Sequence, residues 1–153
     1  LNISPESQYG DYSCSSLLPF SDKSKTDWPG REDFKFIDNV NVDVIRLDKF
    51  ISENNITKID FLKTDCEGGE FDIFTLENLD WIKNNVKKIT GEWHLQLQGH
   101  DYVEKFREFR DVYLKQFTNY EVYSVDNIDI KWDLWNEHFL EYYKQVIIHI
   151  DNR

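Results

Sequence analysis

Apolar and polar residues follow one another along this chain in two rhythms, one of period two and one of three to four, and their order predicts the elements. Val40, Val42 and Val44 alternate with polar neighbours and Leu47 follows, which predicts a short strand. Asp48 is placed to cap a helix over 49–55, with Phe50 and Ile51 turned inward and Asn54-Asn55 ending it. The apolar run Ile59-Asp60-Phe61-Leu62-Lys63 predicts a buried strand that runs into the turn Asp65-Cys66-Glu67-Gly68-Gly69. A helix follows from 70 to about 84–85, with Phe71, Phe74, Leu76 and Leu79 on its inner side, and then a strand over 86–97. From Asp101, Tyr102, Phe106, Phe109, Tyr113 and Phe117 recur every three to four residues, the stripe of an amphipathic helix. A strand over 120–125, a helix within 133–144 and a strand over 146–150 complete the order. Residues 1–33 are rich in turn formers and read as an extended arm, with a short strand around Tyr9–Leu18.

This alternation of strands and helices over 34–153 predicts an α/β core on a largely parallel sheet, with the last two strands as an antiparallel edge. At 153 residues, 40% apolar and 16% aromatic, the chain can bury a core and is no disordered tail. Its net charge of −11 argues against nucleic acid or an anionic membrane as a partner, since little here would replace phosphate counterions. The charge is uneven: −9 over residues 1–80 and −2 over the remainder, so a cation or cationic cofactor would be drawn to the first half. Cys14 and Cys66 form no CxxC pair and are expected as reduced thiols in a cytoplasmic setting. No apolar run is long enough to cross a bilayer. The chain contains no Met and opens on Leu1, which suggests a piece of a longer protein or a processed one.

In open α/β sheets, ligands bind at the carboxyl ends of the strands. Two such ends carry chemistry. After the strand at 59–64, Asp65, Glu67 and Glu70 flank Gly68-Gly69, an acidic mouth suited to a metal, a sulfonium or a hydroxyl that must lose its proton. Glu70 also suits a helix N-terminus, and that alone would explain it. At the end of the next strand, alternation puts Glu92 and His94 on one face and Trp93 on the other, an acid/base pair or two metal ligands. Adjacent parallel strands would bring Asp65 near both. His100, His138 and His149 show no ligand spacing, no GxSxG elbow surrounds the serines near Cys14, and neither glycine-rich nucleotide loop occurs.

Val42–Phe50 (VDVIRLDKF), Ile59–Glu70 (IDFLKTDCEGGE) and Ile89–His94 (ITGEWH) together resemble the FkbM family of S-adenosylmethionine-dependent methyltransferases. Arg46, Cys66 and Gly69 stand where that family usually has Thr, Val and Ala, and Ser15-Ser16-Leu17 is similar to its Ser-Ser-Leu insertion. The likeness is closest over 13–95; beyond that it is one of element order. It implies a Rossmann-like class I methyltransferase sheet, transfer of a methyl group from S-adenosyl-L-methionine to a hydroxyl of a small-molecule or glycan acceptor, and catalytic roles for Asp65, Glu67, Glu92 and His94. Asp65 and Gly68 would contact the cofactor, and His94 would be the better base at neutral pH.

The family's glycine-rich cofactor loop and the acid-ended strand after it have no counterpart here, so the chain is expected to be a partial, C-terminal portion of one domain that binds the cofactor poorly alone. In that sheet the strand at 59–64 pairs with the missing first strand. It is therefore expected to pair with another copy, making a homodimer, to be covered by the 1–33 arm, or to be poorly ordered. Two other readings stand beside the enzyme: a non-catalytic binding or assembly module, and a metal-dependent variant with Asp65, Glu92 and His94 as ligands.

Overall fold

The structure is a computed structural model that describes residues 1–6, 14–27, 35–95 and 102–153. Its main sheet has four strands: β3 (Ile59–Thr64), β4 (Val86–His94), β5 (Tyr120–Ser124) and β6 (Gln145–Asp151), in the order β3-β4-β6-β5. A two-stranded ribbon precedes it, β1 (Asn2–Ile3) against β2 (Asp38–Asn39). The helices are α1 (Asp22–Asp27), α2 (Leu47–Glu53), α3 (Glu70–Ile73), α4 (Leu76–Asn85), α5 (Tyr102–Glu108) and α6 (Phe139–Tyr142). The chain is thus α/β, as expected.

The sheet itself is mixed rather than largely parallel. β3 and β4 run parallel, while β6 inserts between β4 and β5 and is antiparallel to both. The last two strands do form the expected antiparallel edge, with β6 on its inner side and antiparallel to β4 as well, because it returns across the sheet after the 125–144 excursion. Pairing by period two sorts the strands cleanly. Ile89, Trp93, Val122, Val146, Ile148 and Ile150 are buried on one face, under the aromatic side of the helices; Thr90, Glu92, Tyr123, Ile147 and His149 on the other are only half-buried.

Gly91 is where β3 and β4 approach most closely. A Cβ there would stand 2.1 Å from Thr64 Oγ1, 2.8 Å from the Thr64 carbonyl oxygen and 2.9 Å from the Trp93 ring. Only glycine leaves room for these neighbours.

The helical pattern departs from expectation in four places. Residues 40–46 form no strand: Val42 and Val44 are 45% and 70% exposed, and alternation alone makes no ladder without a neighbouring strand. Phe50 faces solvent while Ile51 is buried, and α2 starts at Leu47 with Asp48 in its first turn, bonded to Arg46 rather than capping. The helix from 70 is broken into α3 and α4 at Thr75, whose extended backbone restarts it and turns Leu76 outward. The aromatic stripe begins in α5 and continues as a π-helical turn over Phe109–Tyr113 and a 3₁₀ turn over Leu114–Gln116. The π turn widens the helix so that Phe109 and Tyr113 stack at 5.5 Å and both meet Phe74. Of the strand expected around Tyr9–Leu18, residues 9–13 lie outside the described residues, as does His100, and 14–18 form no strand, only a single bridge from Ser16 to Asn2.

β3 is a regular strand, and among the described residues its outer edge has no neighbour. Phe61 is 58% exposed. The expectations that this strand would be poorly ordered or covered by the arm do not hold for the described residues: in-register pairing with β4 from Ile59 to Thr64 is enough to set it. No helix of the described residues is long and apolar enough to cross a membrane.

Candidate active site

The parallel register of β3 and β4 sets Thr64 beside Gly91, so the turn after β3 and the last residues of β4 meet at one end of the sheet. The turn reverses over Cys66–Gly69, closed by the Gly69 amide donating to the Cys66 carbonyl at 3.1 Å. Its two central residues, Glu67 (φ 48°) and Gly68 (φ 94°), are both left-handed, as a mirror-image turn requires. Gly68 adopts this freely; Glu67 does so at a cost, and something must hold it there.

Two contacts do. Ser16, itself buried, donates from Oγ to the Glu67 carbonyl oxygen at 2.7 Å, tying the N-terminal segment to the turn. Glu70, with no exposed surface, accepts the Cys66 amide at 2.7 Å on Oε1 and the Gly68 amide at 3.1 Å on Oε2. Its carboxylate therefore holds the turn shut from inside. Glu70 does more than favour a helix N-terminus: Oε1 also lies 3.1 Å from His94 Nδ1. A fully buried acid needs such partners, and fixing one ring nitrogen of His94 aims the other outward.

His94 Nε2 lies 3.5 Å from Glu67 Oε2 and 3.8 Å from Glu92 Oε1. Glu92 in turn accepts a hydrogen bond from the Gln145 side chain. Asp65 sits at the rim, exposed, with the Lys63 ammonium 3.3 Å away. Glu67 and Glu92 thus converge on His94, where the sequence alone places Asp65 beside Glu92 and His94; Asp65 stands at the rim, and Trp93 points to the opposite side among Phe74 and Phe109. Sequence reasoning missed the joint role of Glu70 and the tie from Ser16. The Glu70 signal was there, an acid directly after a paired glycine, but an acid at a helix start is ordinary enough to hide it.

Burial works to lower the His94 pKa, but the Glu70 hydrogen bond and the charges of Glu70, Glu67 and Glu92 outweigh it and raise it to about 9. Burial first, and the neighbouring acids Asp65, Glu70 and Glu92 with it, raise Glu67 to about 7, against the pull of His94. Both directions weigh against His94, and toward Glu67, as the base near neutral pH, because the surrounding carboxylates favour the imidazolium. Glu67 Oε2 is buried with no hydrogen-bond partner, while the side chain as a whole keeps 19% of its surface exposed. The carboxyl therefore leans on the imidazolium and still opens outward.

One donor atom each from Asp65, Glu67 and His94 lies within 4.8 Å of the others, which would admit a cation. That trio has Glu67 where the sequence suggested Glu92. Neither Cys14 nor Cys66 is in a disulfide among the described residues, and burial pushes the Cys66 thiol up, away from a reactive thiolate. His138 pairs with Glu141 at the surface and His149 bonds Thr90, neither near the cluster.

The family model for the methyltransferase FkbM domain matches residues 3–122, more than three quarters of the chain. The chain belongs to the FkbM methyltransferase family. The matched FkbM segment contains Ser16, the turn at 65–69, Glu70, Glu92 and His94, and it ends within β5. No curated protein and no solved structure matches the chain.

Proposed function

We propose that this chain is the acceptor-side portion of a Rossmann-like O-methyltransferase that transfers methyl from S-adenosyl-L-methionine to a hydroxyl of a small-molecule or sugar acceptor. The observation that carries this reading is Glu67, a carboxyl poised near neutrality between a buried imidazolium and the open strand end. When bound, S-adenosylmethionine supplies an electrophilic methyl group on a sulfonium. Glu67 takes the acceptor hydroxyl's proton, His94 stabilises the resulting pair of charges, and Glu70 keeps the imidazole oriented.

The described residues suit one end of that cofactor. Asp65, Glu67 and Glu92 give negative charge for a sulfonium, whereas Gly68, expected to contact the cofactor, is buried with its amide bonded to Glu70. They contain no glycine-rich loop for the nucleoside. In this reading its contacts come from polypeptide occupying the open edge of β3.

Calorimetry with S-adenosylhomocysteine on the natural full-length protein tests the reading. Binding is expected, with Glu67→Gln lowering methyl transfer roughly a hundredfold and leaving that affinity unchanged. No affinity for S-adenosylhomocysteine would overturn it. The open β3 edge with Phe61 exposed favours a second reading, a non-catalytic assembly module, which that outcome would support.

A further inference from the structure

The end of the sheet that carries the cluster also carries a cleft that the family match does not reach. β4 ends and β6 begins side by side, His94 opposite Gln145, and β5 ends next to them at Ser124. There a cleft of about 520 Å³ opens, lined among others by Ser124, Asp126, Ile128, Tyr142, Tyr143 and Gln145. All of these lie beyond residue 122, where the FkbM match stops. The volume falls in the range of small-molecule sites, roughly 300–1,000 Å³.

The walls are built. Ser124 organises one, its carbonyl accepting the Asn127 amide at 2.9 Å and its amide donating to the Ile128 carbonyl at 2.9 Å, with Asn127 left-handed at φ 60°. This turn presents Ile128, 60% exposed, toward solvent rather than the core. The other wall is aromatic. Tyr143 packs against the Phe139 ring at 4.8 Å, while Tyr142 is 64% exposed. Gln145 belongs to both places: it lines the cleft and donates to Glu92, whose carboxylate is 3.8 Å from His94. The cleft is therefore one side chain away from the proton-handling cluster.

We infer that this cleft seats the acceptor, and that the acceptor is an uncharged polyhydroxylated molecule bearing an apolar ring. This rests on the methyltransferase reading for the word acceptor, though not for the binding. Tyrosine faces and aliphatic walls suit a ring, while Asp126 and Gln145 suit hydroxyls. Asp126 on the wall and Glu92 behind Gln145 set a negative potential that Lys144 offsets only in part, which disfavours an anion.

The test compares phenyl β-glucoside with phenyl β-glucuronide, which differ by one carboxylate, followed through the amide spectrum of the protein. The glucoside should shift resonances of Ser124, Asp126 and Gln145, the glucuronide should bind at least roughly tenfold more weakly, and Tyr142→Ala, a surface change, should weaken the glucoside roughly tenfold. No glucoside binding, binding unaltered by both Tyr142→Ala and Asp126→Asn, or equal binding of the glucuronide would overturn the proposal. The readout needs no cofactor. Failure here with S-adenosylhomocysteine affinity intact leaves the methyltransferase reading standing, and the reverse result rejects that reading while the cleft stands.

Discussion

His94 Nδ1 lies 3.1 Å from Oε1 of Glu70, the same oxygen that accepts the Cys66 amide at 2.7 Å. One buried carboxylate thus couples the shape of the β3 turn to the protonation of the histidine on β4. Glu70→Gln replaces one acceptor oxygen by an amide that cannot receive both backbone N–H groups. It should cost about 2 kcal/mol in denaturant unfolding. A merely structural Glu70 would stop there; a coupled one also lowers the pH at which His94 loses its proton, read by imidazole NMR.

The cluster makes stability depend on pH in a definite direction. Glu67 is raised from an ordinary 4.5 to about 7, and His94 from 6.5 to about 9. Both groups hold protons more tightly folded than unfolded, so their contribution is fully present at low pH and is lost as pH rises through these folded values. Chemical unfolding of wild type and the double variant Glu67→Gln/His94→Gln should show the wild type losing stability relative to the variant from about pH 5 to 9. A difference that stays flat or grows over that window would contradict the assignment.

Gly91→Ala tests the closeness of the two parallel strands. The added methyl would meet Thr64 at 2.1 Å on its hydroxyl and 2.8 Å on its carbonyl, and backbone cannot swing aside as a side-chain tip can. A loss of about 3 kcal/mol is expected in equilibrium unfolding. Gly69→Ala is the control: its nearest neighbours stand at 3.3 Å and 3.4 Å, and the cost should be small.

The open edge of β3 predicts self-association of this chain through strand pairing. Phe61, 58% exposed there, adds apolar area. Sedimentation should show dimer in the wild type and monomer in Phe61→Lys. A wild type that remains monomeric as concentration is raised would count against pairing of two copies.

The element order and the meeting of the turn after β3 with Glu92 and His94 were legible in the sequence because they rest on local facts: period-two alternation, a paired glycine after an apolar run, and adjacency of parallel strands; that Glu67 rather than Asp65 is the acid against His94 was not. What was not legible depends on distant partners. Val40–Val44 has the rhythm of a strand, yet beyond Val40, which bonds Leu1, no strand of the described residues lies beside it. β6 enters the sheet between β4 and β5, a choice made by packing that no window of sequence contains. The ordinary pKa of histidine suggested His94 as the base; only the positions of Glu67, Glu70 and Glu92 around it reverse that, and those are set by the turn. Gln145 gave no signal of its own, since its meaning is its place opposite His94.

The central claim is that Glu67, not His94, takes the proton near neutral pH. Titration of the full-length protein with carbon-13 labels on the Glu67 carboxyl and the His94 ring tests it most directly. A carboxyl transition is expected at about 7, with an imidazolium that persists to about 9. A histidine titrating near its ordinary 6.5, beside a glutamate already ionised at 4.5, would contradict it.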